Sequence, residues 1–99
     1  MSDKIPGAEK FDGGKARMEL IPMPVVEEIA KVLTFGAAKY APDGWKHLPD
    51  AEDRYLGALL RHISAIQRGE THDPESGLSH ISHVACNSMF LTHFQMLKG

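Results

Sequence analysis

The sequence predicts an all-α fold, a small helical bundle of about three main helices behind an irregular N-terminal arm. Apolar residues recur at helical spacing in three separate stretches, and short turn-rich links divide those stretches. No stretch shows the alternation that would make a convincing strand. The 99 residues suffice for one domain. A chain of this size buries only about 60–65% of the surface that its unfolded form exposes, so its core is modest. We therefore expect an extended arm over residues 1–22 and one helical domain over residues 23–99.

The arm, "MSDKIPGAEKFDGGKARMELIP", is rich in proline and glycine and has little periodicity. Asp12-Gly13-Gly14 reads as a turn. Phe11, Met18, Leu20 and Ile21 are the side chains expected to pin the arm to a core. A first helix is predicted over Pro24 to Tyr40. Proline suits its opening turn, and Glu27 and Glu28 follow near the positive end of the dipole. Val25, Ile29, Val32, Leu33 and Ala37 form its apolar stripe. "APDGW", residues 41–45, is a turn.

The second helix is the clearest. Asp50 is its expected N-cap and Gly69 its expected stop. Tyr55, Leu59, His62 and Ile66 share a face, which Leu56, Leu60 and Ile63 widen. "ETHDPESG", residues 70–77, is a polar loop in which Asp73-Pro74 begins a turn. The third helix is predicted from about Ser79 to Leu97, with Ile81, Val84, Met89, Leu91 and Met96 as its apolar side. Three helices of this length make a thin core, and a homo-oligomer is the expected state.

Composition narrows the function. Acidic and basic residues are interleaved and the net charge is −2, so there is no basic footprint for duplex nucleic acid. No apolar run approaches the roughly 20 residues that span a membrane. The lone Cys86 and the absence of a signal-peptide pattern lead us to expect a cytoplasmic protein. The histidines are the compositional anomaly: all 6 lie after residue 46, as His47, His62, His72, His80, His83 and His93.

His80, His83 and Asn87 would share one helical face. A histidine pair at this spacing can ligate a metal, and Asp73, Glu75 or His62 could supply a third group. The same residues could equally be hydrogen-bonded core histidines. His72-Asp73 matches the dipeptide of metal-dependent phosphohydrolases, but it precedes proline in a predicted loop, and chance is the simpler reading. Glu27, Glu28, Glu70, Asp73 and Glu75 offer oxygen ligands that suit Mg²⁺. Lys15, Arg17, Lys39, Arg54 and Arg61 are candidate phosphate contacts. Tyr40 and Trp45 could stack on a base or cap a core.

Four blocks stand in one order along the chain. They are "KFDGGKARMELIP", "EEIAKVLTFGAAKY" with Trp45, "LGALLRHISAIQRGE" and "DPESGLSHISHVACN". In that order they resemble the phage family of dATP/dGTP diphosphohydrolase N-terminal domains and, more broadly, MazG-like all-α nucleotide pyrophosphohydrolases. The resemblance implies hydrolysis of dATP or dGTP to monophosphate and pyrophosphate with Mg²⁺ or Mn²⁺. It also implies a homo-oligomer and, for a phage protein, the host cytoplasm. It carries Glu75, Asp73 and His62 as catalytic residues. Lys15, Lys39, Tyr40, Trp45, Arg61 and Asn87 become substrate contacts; from the residues themselves, Glu28, His80, His83 and Asp73 are the candidate metal ligands. The MazG-like acidic motif is altered here: Lys31 stands where a third glutamate is usual, and His80-x-x-His83 replaces Glu-x-x-Asp. Two other classes fit the same sequence: a helical oligomer that binds a nucleotide without cutting it, and a structural or interaction module of a phage.

Overall fold

A computed structural model of the chain describes residues 14–99. Phe11, the Asp12-Gly13 half of the expected turn and most of the arm lie outside the described residues. The rest is all-α. Helix α1 spans Met23–Lys39, α2 spans Ala51–Gln67 and α3 spans His80–Leu97. Short 3-10 turns at Met18–Leu20 and Gly44–Lys46 precede α1 and α2. No helix among the described residues is long and apolar enough to cross a membrane.

α3 is the central element, and both other helices pack on it. α2 runs antiparallel to α3. The Lys98 ammonium meets Glu52 at 2.9 Å at one end, and His62 meets His80 at the other. α1 contributes Val32 to a small core with Cys86 and Phe90, flanked by Ile29 and Leu33. Trp45, from the connection between α1 and α2, stacks on Phe90 with ring centres 4.4 Å apart. The Tyr55 hydroxyl donates to the Trp45 carbonyl at 2.7 Å and fixes that turn against α2. Trp45 is thus both a wall of the groove described below and a lid on the core.

Several local expectations are corrected. Asp50 precedes α2 as expected, but its backbone is left-handed (φ 52°) and its carboxylate makes no capping bond. A capping side chain reaches the second or third amide of the helix from an extended backbone, and a left-handed residue does not offer that geometry. Ser79 does cap α3: it is extended, and its Oγ accepts from the Ser82 amide at 3.1 Å. No acid lies in the first turn of α1, because the helix begins at Met23 and Glu27 falls in the second turn. Met18, Leu20 and Ile21 do not pin the arm; all three are exposed. On α2, Leu56 and Leu60 face solvent, and Ala65 is the buried residue.

The largest correction concerns α3. Ile81 and Met96, two of its expected inward residues, are 62% and 74% exposed. The face turned inward carries His80, Ser82, His83, Cys86, Asn87 and Phe90. His80, His83 and Asn87 are only 4%, 8% and 6% exposed. The central helix therefore presents polar groups inward along its N-terminal half and leaves apolar side chains outside.

Two measurements check this packing. Phe90→Ala removes the ring shared by Trp45 and Tyr55 and should cost about 3 kcal/mol, read as a lowered Tm. Burial pushes the Cys86 thiol up to about 11. In the folded protein at pH 8 it should react with a thiol reagent at least ~10-fold more slowly than in denaturant.

Candidate functional site

The loop between α2 and α3 folds back as a tight hairpin. An isolated bridge pairs His72 with Ser79, and the Asp73 amide donates to Leu78 O at 2.8 Å. The turn expected at Asp73-Pro74 is present. The Asp73 carboxylate accepts from the Ser76 amide at 2.8 Å, and the Asp73 carbonyl accepts from the Gly77 amide at 2.8 Å. Gly77 closes the turn at φ +74°, a conformation that side chains disfavour. This hairpin presses its acids against the histidines of α2 and α3.

Three imidazoles meet there. His62 and His80 approach through their Nδ1 atoms at 2.8 Å, so one donates and the other accepts. His80 Nε2 lies 3.1 Å from Glu70 Oε1. A carboxylate only accepts, so His80 Nε2 donates to Glu70. His62 stacks flat on His83, with ring centres 4.4 Å apart and planes 9° from parallel. His83 Nε2 is 2.7 Å from Ser76 Oγ and 3.8 Å from the Asp73 carboxylate. The Asn87 amide donates to the His83 carbonyl at 2.8 Å, an i to i+4 bond along α3.

The electrostatics follow from burial. Desolvation is the first cause that lowers the His62 and His83 pKa values, so both rings are neutral at pH 7. Burial acts to raise Asp73, but the Ser76 hydrogen bonds together with His83 and His62 outweigh it and hold the carboxyl below its usual value. Glu70 is also lowered, by its bonds to His80 and then Arg68. The cluster thus sets the carboxylates of Asp73 and Glu70 beside the neutral rings of His62 and His83.

A groove of about 870 Å³ opens beside the cluster, between α1 and α2 and over α3. His62, Asp73, His83 and Asn87 reach it, as do Lys39, Tyr40, Trp45, Arg54 and Arg61. Arg54 and Arg61 lie seven residues apart on α2 and have no ion-pair partner among the described residues. Lys39, at the end of α1, instead reaches across to the Glu75 carboxylate of the hairpin.

The geometry sits in a family. A family described as dATP/dGTP diphosphohydrolase, N-terminal, matches residues 6–99. The chain belongs to that family. A dATP/dGTP diphosphohydrolase of Salmonella phage PMBT28 is 40% identical over 82 residues, 83% of this chain and 28% of the relative. The chain therefore spans about a quarter of the length of the curated relative that it matches. No solved structure matches the chain.

Within this family member the structure gathers most of the sequence-predicted site residues, but not all. Glu28 pairs with Lys31 at 2.6 Å and does not line the groove. Lys15 is exposed and also lies outside the groove lining. His72 is exposed and bonds Thr71 Oγ1, so it stands apart from its neighbour Asp73. The structure sets His62, rather than His83, against His80 Nδ1. Ser76 escaped the sequence reading. Its only signal was its place three residues after Asp73, where an Asx-type turn brings its amide to the carboxylate.

The depressed histidines set an acid limit on stability. The unfolded imidazole takes its proton near the model value of 6.5, before the folded one does. Stability from His62 and His83 is therefore complete above that value and falls as the pH drops below it. Asp73 and Glu70 have the opposite charge type, and their contribution is lost only below the carboxylate range. The Tm, followed by circular dichroism, should drop between pH 7.5 and 5.5 in the native chain. It should drop less in His83→Gln. A flat native profile across that window contradicts the assignment.

Proposed function

We propose that the groove binds a purine deoxynucleoside triphosphate, dATP or dGTP, and that the protein converts it to monophosphate and pyrophosphate. One observation carries this reading: free arginines and a half-buried cluster of histidines and an acid face the same nucleotide-sized groove. Its volume of about 870 Å³ lies within the range of small-molecule sites. Membership in the family and the name of the phage relative support the reaction class.

Arg54 and Arg61 would take the phosphates, because a guanidinium matches phosphate oxygens in a fork. Tyr40, exposed at the groove mouth, would stack on the base. Asn87 would contact the substrate with its side-chain carbonyl, which has no hydrogen-bond partner among the described residues. Lys39 would exchange its Glu75 partner for a phosphate oxygen. That exchange costs little, since exposed ion pairs are worth about 0–1 kcal/mol. Glu75, released, would accept a proton from the attacking water. The water oxygen bonds to the α-phosphorus, the bond to the bridging oxygen breaks, and pyrophosphate leaves.

The MazG-like resemblance implies Mg²⁺ or Mn²⁺ held by carboxylates. Among the described residues no three carboxylates converge, so they do not make an all-oxygen magnesium site. Asp73 stands among imidazoles.

Incubation of the purified chain with dATP and dGTP across a series of divalent cations should yield monophosphate and pyrophosphate. Arg61→Ala should weaken nucleotide binding about 10-fold or more, the value of a charged hydrogen bond. Nucleotide binding without product would favour the non-catalytic reading, and no binding would remove both. Self-association has separate support: Met18, Leu20, Met23, Leu60 and Ile81 are all largely exposed. Light scattering should give a mass that is a multiple of 10.9 kDa, and Leu60→Glu or Ile81→Glu should lower it.

A further inference from the structure

We infer that His62, His80 and Asp73 form a site for one late first-row divalent cation, of the Fe²⁺, Co²⁺ or Zn²⁺ class, in preference to Mg²⁺. Each residue offers one donor atom, and the three atoms lie within 4.8 Å of one another. Two imidazoles and one carboxylate are a donor set suited to such cations and poorly suited to Mg²⁺, which demands oxygen ligands in a near-ideal octahedron.

Three further features point to the same place. The Nδ1 atoms of His62 and His80 converge at 2.8 Å. Two nitrogens bound about 2.1 Å from one ion lie roughly 3.0–3.4 Å apart, so the rings need open only slightly. The shared proton between them occupies the position that a cation would take. His80 is also oriented as metal-bound histidines are, with its other nitrogen donating to the Glu70 carboxylate at 3.1 Å. Finally, His80 is buried behind His62, while His62 and Asp73 line the groove. Three protein donors with one open side make a site that can hold a further ligand from the groove, unlike a closed four-ligand structural site.

The site differs from the ligand set that the sequence suggested. Glu28 is absent from it, and His62 takes the place expected for His83. His83 instead flanks the site, stacked on His62 and bonded to Ser76.

The test needs no nucleotide, so its outcome stands apart from the turnover assay above. The chelator-treated chain is titrated in a calorimeter with Co²⁺, Zn²⁺ and Mg²⁺. One Co²⁺ or Zn²⁺ per chain should bind about 100-fold or more tightly than Mg²⁺. Proton spectra of the Co²⁺ form should show two strongly shifted, solvent-exchangeable imidazole N–H resonances, one per histidine ligand. Glu70→Gln should weaken Co²⁺ binding about 10–100-fold, and His80→Gln should abolish it with helicity retained by circular dichroism. Mg²⁺ binding as tight as Co²⁺, fewer than two shifted N–H resonances, or undiminished Co²⁺ binding in folded His80→Gln would each overturn the site. The native-protein spectrum decides the question even where a histidine variant fails to fold.

Discussion

The contact between His62 and His80 ties α2, α3 and the hairpin between them into one unit. His80 opens α3, and its amide donates to Thr71 O of the hairpin at 2.9 Å. Its side chain meets Glu70 on one nitrogen and His62 of α2 on the other. One residue therefore joins the hairpin, α2 and α3. A buried polar group without a partner costs about 1–3 kcal/mol, so this arrangement is stable only while each partner stays in place. No side-chain polar atom fully shut off from solvent lacks a partner among the described residues. The polar face of α3 is thus compatible with folding because the hairpin supplies its acceptors.

The same arrangement separates charge across the groove. The hairpin end gathers carboxylates and neutral imidazoles, whereas α2 holds Arg54 and Arg61. A ligand with a polyanionic tail and a cation beside it would find both halves complementary. Lys39 and Glu75 bridge the two sides and neutralise each other at the mouth. Without that pair the hairpin would add another unbalanced carboxylate near Asp73.

The helices were legible in the sequence to within one or two residues at each end, because proline, glycine and Ser79 punctuate a strong helical period. Which face of α3 turns inward was not. Its sequence is apolar or small nearly all round, so periodicity identifies a helix without selecting a side. Hydrogen bonds from the hairpin make the selection: they draw His80 and His83 in and leave Ile81 out. The site was legible as a list of residue types but not as a geometry. His62, His80 and His83 stood out as histidines on helices; that His62 would meet His80 depends on an antiparallel register no local pattern encodes. Asp50 failed as a cap for a similar reason, since its left-handed backbone is set by the connection around it.

The connection that carries Trp45 has an evolutionary consequence. α1 and α2 each pack on α3, and the groove lies in the gap left between them. Its breadth is governed by residues 41–50, anchored where Trp45 stacks on Phe90 and receives the Tyr55 hydroxyl. Lengthening or shortening that segment on either side of the Trp45 anchor would resize the cleft while leaving the histidine cluster untouched. Ligand size and site chemistry are thereby written in different parts of the chain, so the scaffold can change what it admits without relearning how to fold.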